Sequence, residues 1–122
     1  MPGEPILIVD DNPTNLKLCR VLLVSEGYEV FTAGNAEEAM ESMAEHRPRL
    51  ILMDIQLPGI DGLELTRRLK ADSATRDIKV VALTSYAMKG DDARALAAGC
   101  DGYASKPIDT RTFPDLVARY LT

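Results

Sequence analysis

The chain has 122 residues, enough for one domain, and its 14 basic and 19 acidic side chains give a formal net charge of −5. This acidic balance opposes direct binding to nucleic-acid phosphates. The apolar runs are only strand-length and no basic and apolar leader opens the sequence, so we expect a cytoplasmic protein that does not insert into a membrane. Cys19 and Cys100 lie outside any metal-ligand spacing, so we expect both to be reduced.

Five short apolar runs rich in β-branched residues alternate with longer amphipathic stretches. The runs are residues 6–9, 29–33, 50–53, 80–84 and 103–105. This alternation is typical of βαβ units that build a parallel sheet. Most runs are continuously apolar, as expected for strands that helices cover on both faces. Glu29 and Thr32 interrupt the second run, which predicts that this strand lies at an edge of the sheet.

Capping residues mark the first two helices between these runs. Asn12 is the predicted N-cap of the first helix, which ends at Gly27. The second helix begins at Asn35, with Glu38 three residues on as in a capping box, and Pro48 stops it. The residues that this second helix is expected to turn inward are Ala36, Ala39, Met40 and Met43.

The remaining helices are marked by glycines and by helical periodicity. The third helix follows Gly62, and the fourth covers residues 91–98 before Gly99. The core-facing stripe of the fifth helix comprises Phe113, Leu116, Val117 and Tyr120. Five βα units account for nearly the whole sequence, so we expect residues 1–122 to form one domain.

Charged and hydroxyl side chains stand at the carboxyl ends of four of the apolar runs. Asp10 and Asp11 follow the first run, and Asp54 follows the third. Thr84 ends the fourth run, and Lys106 follows the fifth. Because ligands bind at the carboxyl ends of the strands in an open α/β sheet, we expect these five residues to converge on one site.

The residue types in this set indicate phosphoryl transfer. Three carboxylates at close range repel one another, and a divalent cation relieves the repulsion. Mg²⁺ prefers oxygen ligands, takes one or two carboxylates and leaves a position for a phosphate oxygen. Lys106 supplies a positive charge and Thr84 a hydroxyl donor for a phosphoryl group. Asp54 is then the candidate nucleophile, and the adjacent Asp10 and Asp11 are better placed to hold the metal.

The order and spacing of these residues resemble the receiver domains of two-component response regulators. The matching residues and segments are Asp10-Asp11, Asp54, Leu57-Pro58-Gly59-Ile60-Asp61-Gly62, Thr84 and Lys106-Pro107. They extend over essentially the whole chain, and residues 10–16 are most similar to single-domain regulators and to the receivers of hybrid kinases. The resemblance implies a flavodoxin-like α/β fold: a doubly wound, five-stranded parallel sheet of strand order 2-1-3-4-5 with five helices.

The resemblance also implies how the acidic residues act. Mg²⁺ is bound by Asp11, Asp54 and the backbone carbonyl of Gln56, while Asp10 helps mainly through water. Asp54 accepts a phosphoryl group from the phosphohistidine of a histidine kinase or a histidine phosphotransfer protein. The receiver performs much of this catalysis itself, so it is a signalling switch that catalyses only its own phosphorylation and dephosphorylation.

The same resemblance implies a conformational response to phosphorylation. Thr84 and Lys106 contact the phosphoryl oxygens, and the Lys106-Pro107 peptide, often cis in this family, fixes the loop of the lysine. Tyr103 turns inward when the Thr84 hydroxyl moves toward the phosphoryl group. This movement remodels the face formed by the fourth helix, the fifth strand and the fifth helix, and an unidentified downstream protein reads the change.

Two other functions compete with this hypothesis. A Mg²⁺-dependent phosphohydrolase of the haloacid dehalogenase type uses the pattern Asp-x-Asp-x-Thr, which residues 10–14 approach. However, Asn12 stands where the general acid/base belongs, and Asp54 would have no role. A flavodoxin needs a Ser/Thr-rich phosphate loop where Asp10 and Asp11 stand. His46, beside a helix end, is interpreted as a solvated surface histidine rather than as a phosphotransfer residue.

Overall fold

The computed structural model describes residues 3–55, 57, 62–85, 91–106 and 108–121. Within these residues, five strands alternate with five helices. The strands are β1 (Pro5–Val9), β2 (Glu29–Ala33), β3 (Leu50–Asp54), β4 (Lys79–Ser85) and β5 (Gly102–Lys106). The helices are α1 (Pro13–Ser25), α2 (Ala36–His46), α3 (Gly62–Ala71), α4 (Asp91–Ala97) and α5 (Phe113–Leu121). Every predicted element is present, and each bound that the sequence predicts lies within a residue or two of the observed one.

The strands form one parallel sheet in the order β2-β1-β3-β4-β5. This order confirms the predicted doubly wound fold, and it places β2 at an edge as its interrupted pattern predicts. Leu7 and Val9 of β1 pack into the core on the side of α2 and α3. Ile6 and Ile8 alternate with them and pack into the core on the side of α1 and α5. Because helices cover both faces, β1 carries apolar residues at successive positions.

Side-chain caps start the first two helices as the sequence predicts. The Asn12 carboxamide oxygen accepts hydrogen bonds from the backbone N–H of Thr14 at 2.9 Å and of Asn15 at 3.4 Å. At α2, the Asn35 carboxamide oxygen accepts from the Glu38 N–H at 2.9 Å. Glu38 reaches back, and its carboxylate accepts from the N–H of residue 34 at 2.8 Å. Both residues of the predicted capping pair therefore satisfy backbone donors.

Replacement of Asn35 by alanine is expected to lower the free energy of unfolding by about 1 kcal/mol, because the Glu38 N–H loses its acceptor. The matched control, Asn35→Asp, keeps an oxygen in the same place and should change stability by only a few tenths of a kcal/mol. Urea denaturation followed by circular dichroism measures both. Equal midpoints for Asn35→Ala and the wild type would show that this cap does not stabilise the fold.

Two side chains at α2 differ from the sequence expectation. Met43 is buried, but Met40, which was expected to face inward, is 49% exposed. The expected apolar stripe includes one residue too many, since the buried stripe of α2 comprises only Ala36, Ala39 and Met43. His46 was expected to be solvated, yet its half-buried ring stacks on Phe31, with ring centroids 3.6 Å apart and planes 9° from parallel.

The cysteines behave as the sequence predicts. Cys19 and Cys100 are both buried and form no disulfide. Burial raises the pKa of the Cys100 thiol, which keeps it protonated and poorly reactive. Among the helices in the described ranges, none is long and apolar enough to cross a membrane.

Candidate functional site

Three carboxylates meet at the carboxyl edge of the sheet. Asp10 follows β1 directly, Asp54 is the last residue of β3, and these two strands are neighbours. Each of Asp10, Asp11 and Asp54 offers a carboxylate oxygen, and these oxygens all lie within 4.8 Å of one another. Asp10 and Asp54 are buried, whereas Asp11 is exposed. The structure therefore brings together the three acids that the strand-end pattern predicts to meet.

The turn between β1 and α1 fixes the orientation of Asp10. Its backbone N–H donates to the Ala33 carbonyl at 3.0 Å, which extends the pairing of β1 with β2 by one residue. One of its carboxylate oxygens accepts from the Asn12 N–H at 2.9 Å. Asn12 thus has two roles, because its side chain caps α1 while its backbone positions the Asp10 carboxylate. Only the first role is predicted above, although an aspartate at the start of a turn is the signal for a side chain that accepts from the backbone N–H two residues on.

Gly62 brings the start of α3 against the end of β3. Its N–H donates to the Ile55 carbonyl at 3.3 Å. A β-carbon at this position would overlap the Asp54 carbonyl oxygen and would lie 2.9 Å from both the Asp54 carbonyl carbon and the Ile55 Cα. Only glycine fits there without a shift of the backbone that carries Asp54. The sequence predicts only that Gly62 precedes a helix. The signal for the close approach of the two backbones is a glycine at the end of the loop that follows an acidic strand end.

The next two strands of the sheet, β4 beside β3 and β5 beside β4, bring Thr84 and Lys106 to the same edge as Asp54. Asp54 pairs in register with Leu83 of β4, so Thr84 is the next residue beyond that pair. Lys106 is the last residue of β5 and pairs with Ser85. The structure describes the backbone of Thr84 and Lys106 but not their side chains.

The other predicted site residues fall in different places. Tyr103 lies on β5 opposite Ala82, and its side chain is 43% exposed. It is therefore not packed in the core. Gln56, the predicted source of a backbone carbonyl ligand, and Pro107, the predicted loop residue, lie outside the described residues.

The donor set fits a small, hard divalent cation. Carboxylate oxygens are the ligands that Mg²⁺ prefers, and three of them share a space less than 5 Å across. Two of the three side chains are buried, where ionised carboxylates are costly unless a positive charge or hydrogen bonds compensate them. A bound cation would add positive charge beside them, in addition to the hydrogen bond that Asp10 accepts from Asn12.

Comparison with known proteins decides the family. The family model of the response regulator receiver domain matches residues 6–118 of this chain. The chain belongs to the response regulator receiver family. It is 48% identical over 118 residues to the polar-differentiation response regulator DivK of Brucella anthropi, with 97% of this chain and 96% of that protein covered. The corresponding DivK of Brucella ovis is 47% identical with the same coverage.

Solved structures agree with this assignment. The chemotaxis response regulator CheY4 of Vibrio cholerae is 25% identical, with a TM-score of 0.90 over 98% of this chain and 99% of that one. The receiver domain of a sensor histidine kinase from Pseudomonas aeruginosa is 34% identical, with a TM-score of 0.87 and 98% of each chain covered. That structure has a magnesium ion coordinated in its active site cleft.

The family assignment makes this protein a receiver of two-component signalling. Phosphorylation and an acidic pocket that binds Mg²⁺ are typical of the family. The relatives include both a response regulator matched over nearly its whole length and the receiver of a histidine kinase, as the resemblance implies. The matches give no support to the haloacid dehalogenase alternative.

Proposed function

We propose that this receiver is a switch that accepts a phosphoryl group on Asp54 from a phosphohistidine of a histidine kinase or phosphotransfer protein. Mg²⁺ is held by Asp11, Asp54 and the backbone carbonyl of Gln56, with Asp10 acting mainly through water. The observation that carries the proposal is the cluster of three carboxylates, two of them buried, at the carboxyl edge of a receiver sheet.

Asp54 is the acid best placed to be the acceptor. It ends β3, the central strand, so it has the two acids that follow β1 on one side and the ends of β4 and β5 on the other. Asp10 is less suited, because it follows β1 and therefore lies one strand further from the ends of β4 and β5, where Thr84 and Lys106 stand. Asp11 is exposed at the start of the turn, where its carboxylate can complete a metal site with the other two acids.

The transfer forms one bond and breaks one bond. An oxygen of the Asp54 carboxylate attacks phosphorus, and the P–N bond of the phosphohistidine breaks with its electron pair remaining on the imidazole nitrogen. The product is an acyl phosphate on Asp54. When bound, Mg²⁺ neutralises the charge that accumulates between the carboxylates and the phosphoryl oxygens. Lys106 pairs with a phosphoryl oxygen, and the Thr84 hydroxyl donates a hydrogen bond to another.

The output of the switch is a change at the face formed by α4, β5 and α5. Tyr103 is 43% exposed on β5, so it lies in an outward position from which it turns inward once the Thr84 hydroxyl moves toward the phosphoryl group. The exposed Leu96 of α4 contributes an apolar contact for a downstream protein. Hydrolysis of the acyl phosphate by the receiver itself resets the switch.

Charge and composition bear on where the switch acts and on which kind of partner it has. The chain acts in the cytoplasm as one receiver domain over residues 1–122. Its net charge of −5 opposes direct contact with nucleic acid, so its effect on other molecules is exerted through protein partners.

A small phosphodonor tests the proposal without the unknown kinase. Acetyl phosphate and Mg²⁺ should add one phosphoryl group, seen by intact-mass spectrometry, that is stable in acid and released by hydroxylamine. A chelator should prevent the reaction. Repeated release of inorganic phosphate from a monoester substrate, with no protein labelling, would instead indicate a phosphohydrolase.

Lys106→Ala is expected to separate metal binding from the conformational response. The variant should bind Mg²⁺ as the wild type does, because it retains all three carboxylates. On phosphorylation, however, the amide resonances of α4 and β5 should stay in place, because no cation draws the β5 end toward the phosphoryl group. Lys79→Ala, an exposed lysine at the opposite end of β4, is the control and should respond normally. Resonances that still move in Lys106→Ala would contradict the assigned role.

A further inference from the structure

A groove of about 650 Å³ lies between α2 and α3, at the end of the sheet opposite the carboxylate site. Buried apolar side chains form its floor, namely Met43, Leu65 and Leu69. Met40 borders the groove and is 49% exposed, which makes it one of the most exposed large apolar side chains in the described part of the chain. This is the methionine that the helical pattern places in the core, and in the structure it lines an open surface instead.

Two arginines line the same groove. Arg68 projects from α3 and lies 3.6 Å from Glu64, measured between Nε and Oε1. Arg47 comes from the end of α2 and is exposed, and within the described ranges no carboxylate lies within 4.0 Å of its guanidinium. Although α2 is rich in glutamate, Asp72 of the loop after α3 is the one acid among the described residues that line the groove. The groove lining of this acidic protein therefore carries two arginines, one of them paired with Glu64, against one acid.

The backbone at Arg47 supplies a second, independent observation. Its φ of 48° and ψ of 65° place it in the left-handed region, and among the described residues it is the one non-glycine with positive φ. A helix that ends in this conformation favours glycine or asparagine, because a β-carbon crowds the backbone. The Arg47 N–H caps α2 by donating to the Met43 carbonyl at 3.0 Å, but arginine is a costlier choice there than glycine, which points to a use for its side chain.

We propose that the α2–α3 groove binds an amphipathic helical segment of a partner protein, with large apolar residues flanked by acidic ones. The apolar residues pack on the floor, where methionine adapts its shape to different side chains. The acidic residues pair with Arg47 and Arg68, whose guanidinium groups bind carboxylates in a bidentate manner. The volume suits a few large side chains. A membrane fits less well, because the net charge of −5 opposes an anionic lipid surface.

The test uses two synthetic helical peptides of about 16 residues, a length at which a helix is marginally stable in water. The acidic probe carries leucine at i, i+3, i+4 and i+7 with glutamates on either side, and the basic probe carries lysines in place of the glutamates. The acidic probe should shift amide resonances at the end of α2 and along α3, and the basic probe should bind about tenfold more weakly.

Arg47→Gly separates binding from folding. Glycine removes the charge and suits the left-handed conformation, so the variant should be at least as stable as the wild type. It should bind the acidic probe about tenfold more weakly and should still accept a phosphoryl group normally. Met40→Glu should weaken binding of the acidic probe at least as much, because it places a carboxylate beside the floor. Arg20→Ala, an exposed arginine on α1, is the control and should leave probe binding unchanged.

Several results would overturn the proposal. These are equal binding of the two probes, no binding of the acidic probe, resonance shifts confined to another face, and an Arg47→Gly variant that is stable and binds the acidic probe with unchanged affinity. Wild-type binding to phosphatidylcholine vesicles that contain phosphatidylglycerol, lost in Arg47→Gly, would assign the groove to a membrane surface and would equally reject the peptide. None of these outcomes depends on phosphorylation of Asp54.

Discussion

Asp54→Asn takes up no phosphoryl group from acetyl phosphate and Mg²⁺ under conditions in which the wild type gains one. The amide has nearly the same shape as the carboxylate, so it fits the buried end of β3, where Asp54 is only 3% exposed. It has no anionic oxygen to attack phosphorus and cannot form an acyl phosphate. Intact-mass spectrometry of both proteins after the same treatment gives the answer directly. The expected effect is complete loss of labelling.

The stability of Asp54→Asn shows whether its loss of labelling comes from the missing carboxylate or from unfolding. In the absence of metal, Asp54→Asn removes one of three carboxylates whose oxygens lie within 4.8 Å of one another, so like-charge repulsion falls. We therefore expect the metal-free variant to be at least as stable as the metal-free wild type. Added Mg²⁺ should stabilise the wild type, because it binds the folded state, and should stabilise the variant less.

The matched control for this variant is Asp77→Asn. Asp77 is exposed and lies near the start of β4, at the opposite end of the sheet from Asp54. It carries the same change in charge and should be labelled to the same extent as the wild type. A phosphoryl group retained by folded Asp54→Asn would move the acceptor to Asp10 or Asp11 and would reject the proposed mechanism.

The fold was predictable because its signals are local. Continuous apolar runs such as residues 6–9 identify strands covered on both faces, and side-chain caps such as Asn35 identify where helices begin. The convergence of Asp10, Asp11 and Asp54 was predictable for a related reason. Parallel strands all end at the same edge of the sheet, so three acids at strand ends meet once β1 and β3 become neighbours.

What could not be predicted depends on how elements approach one another. Met40 occupies the margin of the apolar stripe of α2, and its exposure is set by how α3 packs beside it. The stacking of His46 on Phe31 joins the end of a helix to an edge strand and has no signal in either segment. The role of Gly62 likewise depends on its distance from the backbone of Asp54, which helix-start rules do not contain.

Gly62→Ala should both destabilise the fold and impair the site. In a helix interior alanine is favoured over glycine by about 1 kcal/mol, and at the first residue of α3 part of this preference would favour the change in open space. Here the new β-carbon would overlap the Asp54 carbonyl oxygen and approach the Ile55 Cα to 2.9 Å. Because both neighbours are backbone, the end of β3 or the start of α3 must move. We expect a loss of about 1–3 kcal/mol in the free energy of unfolding, a change opposite in sign to that predicted by helix propensity.

The same displacement should slow phosphorylation, because it moves the residue that carries the acceptor carboxylate. A misplacement of about 1 Å at a reacting group can reduce a rate by about a hundredfold. Gly34→Ala is the matched control, since the nearest atom to its β-carbon is the Glu38 carboxylate oxygen at an ordinary 3.5 Å. Urea denaturation and the rate of labelling by acetyl phosphate should both single out Gly62→Ala. If Gly62→Ala were as stable and as rapidly labelled as Gly34→Ala, the contact between the start of α3 and the end of β3 would not position Asp54.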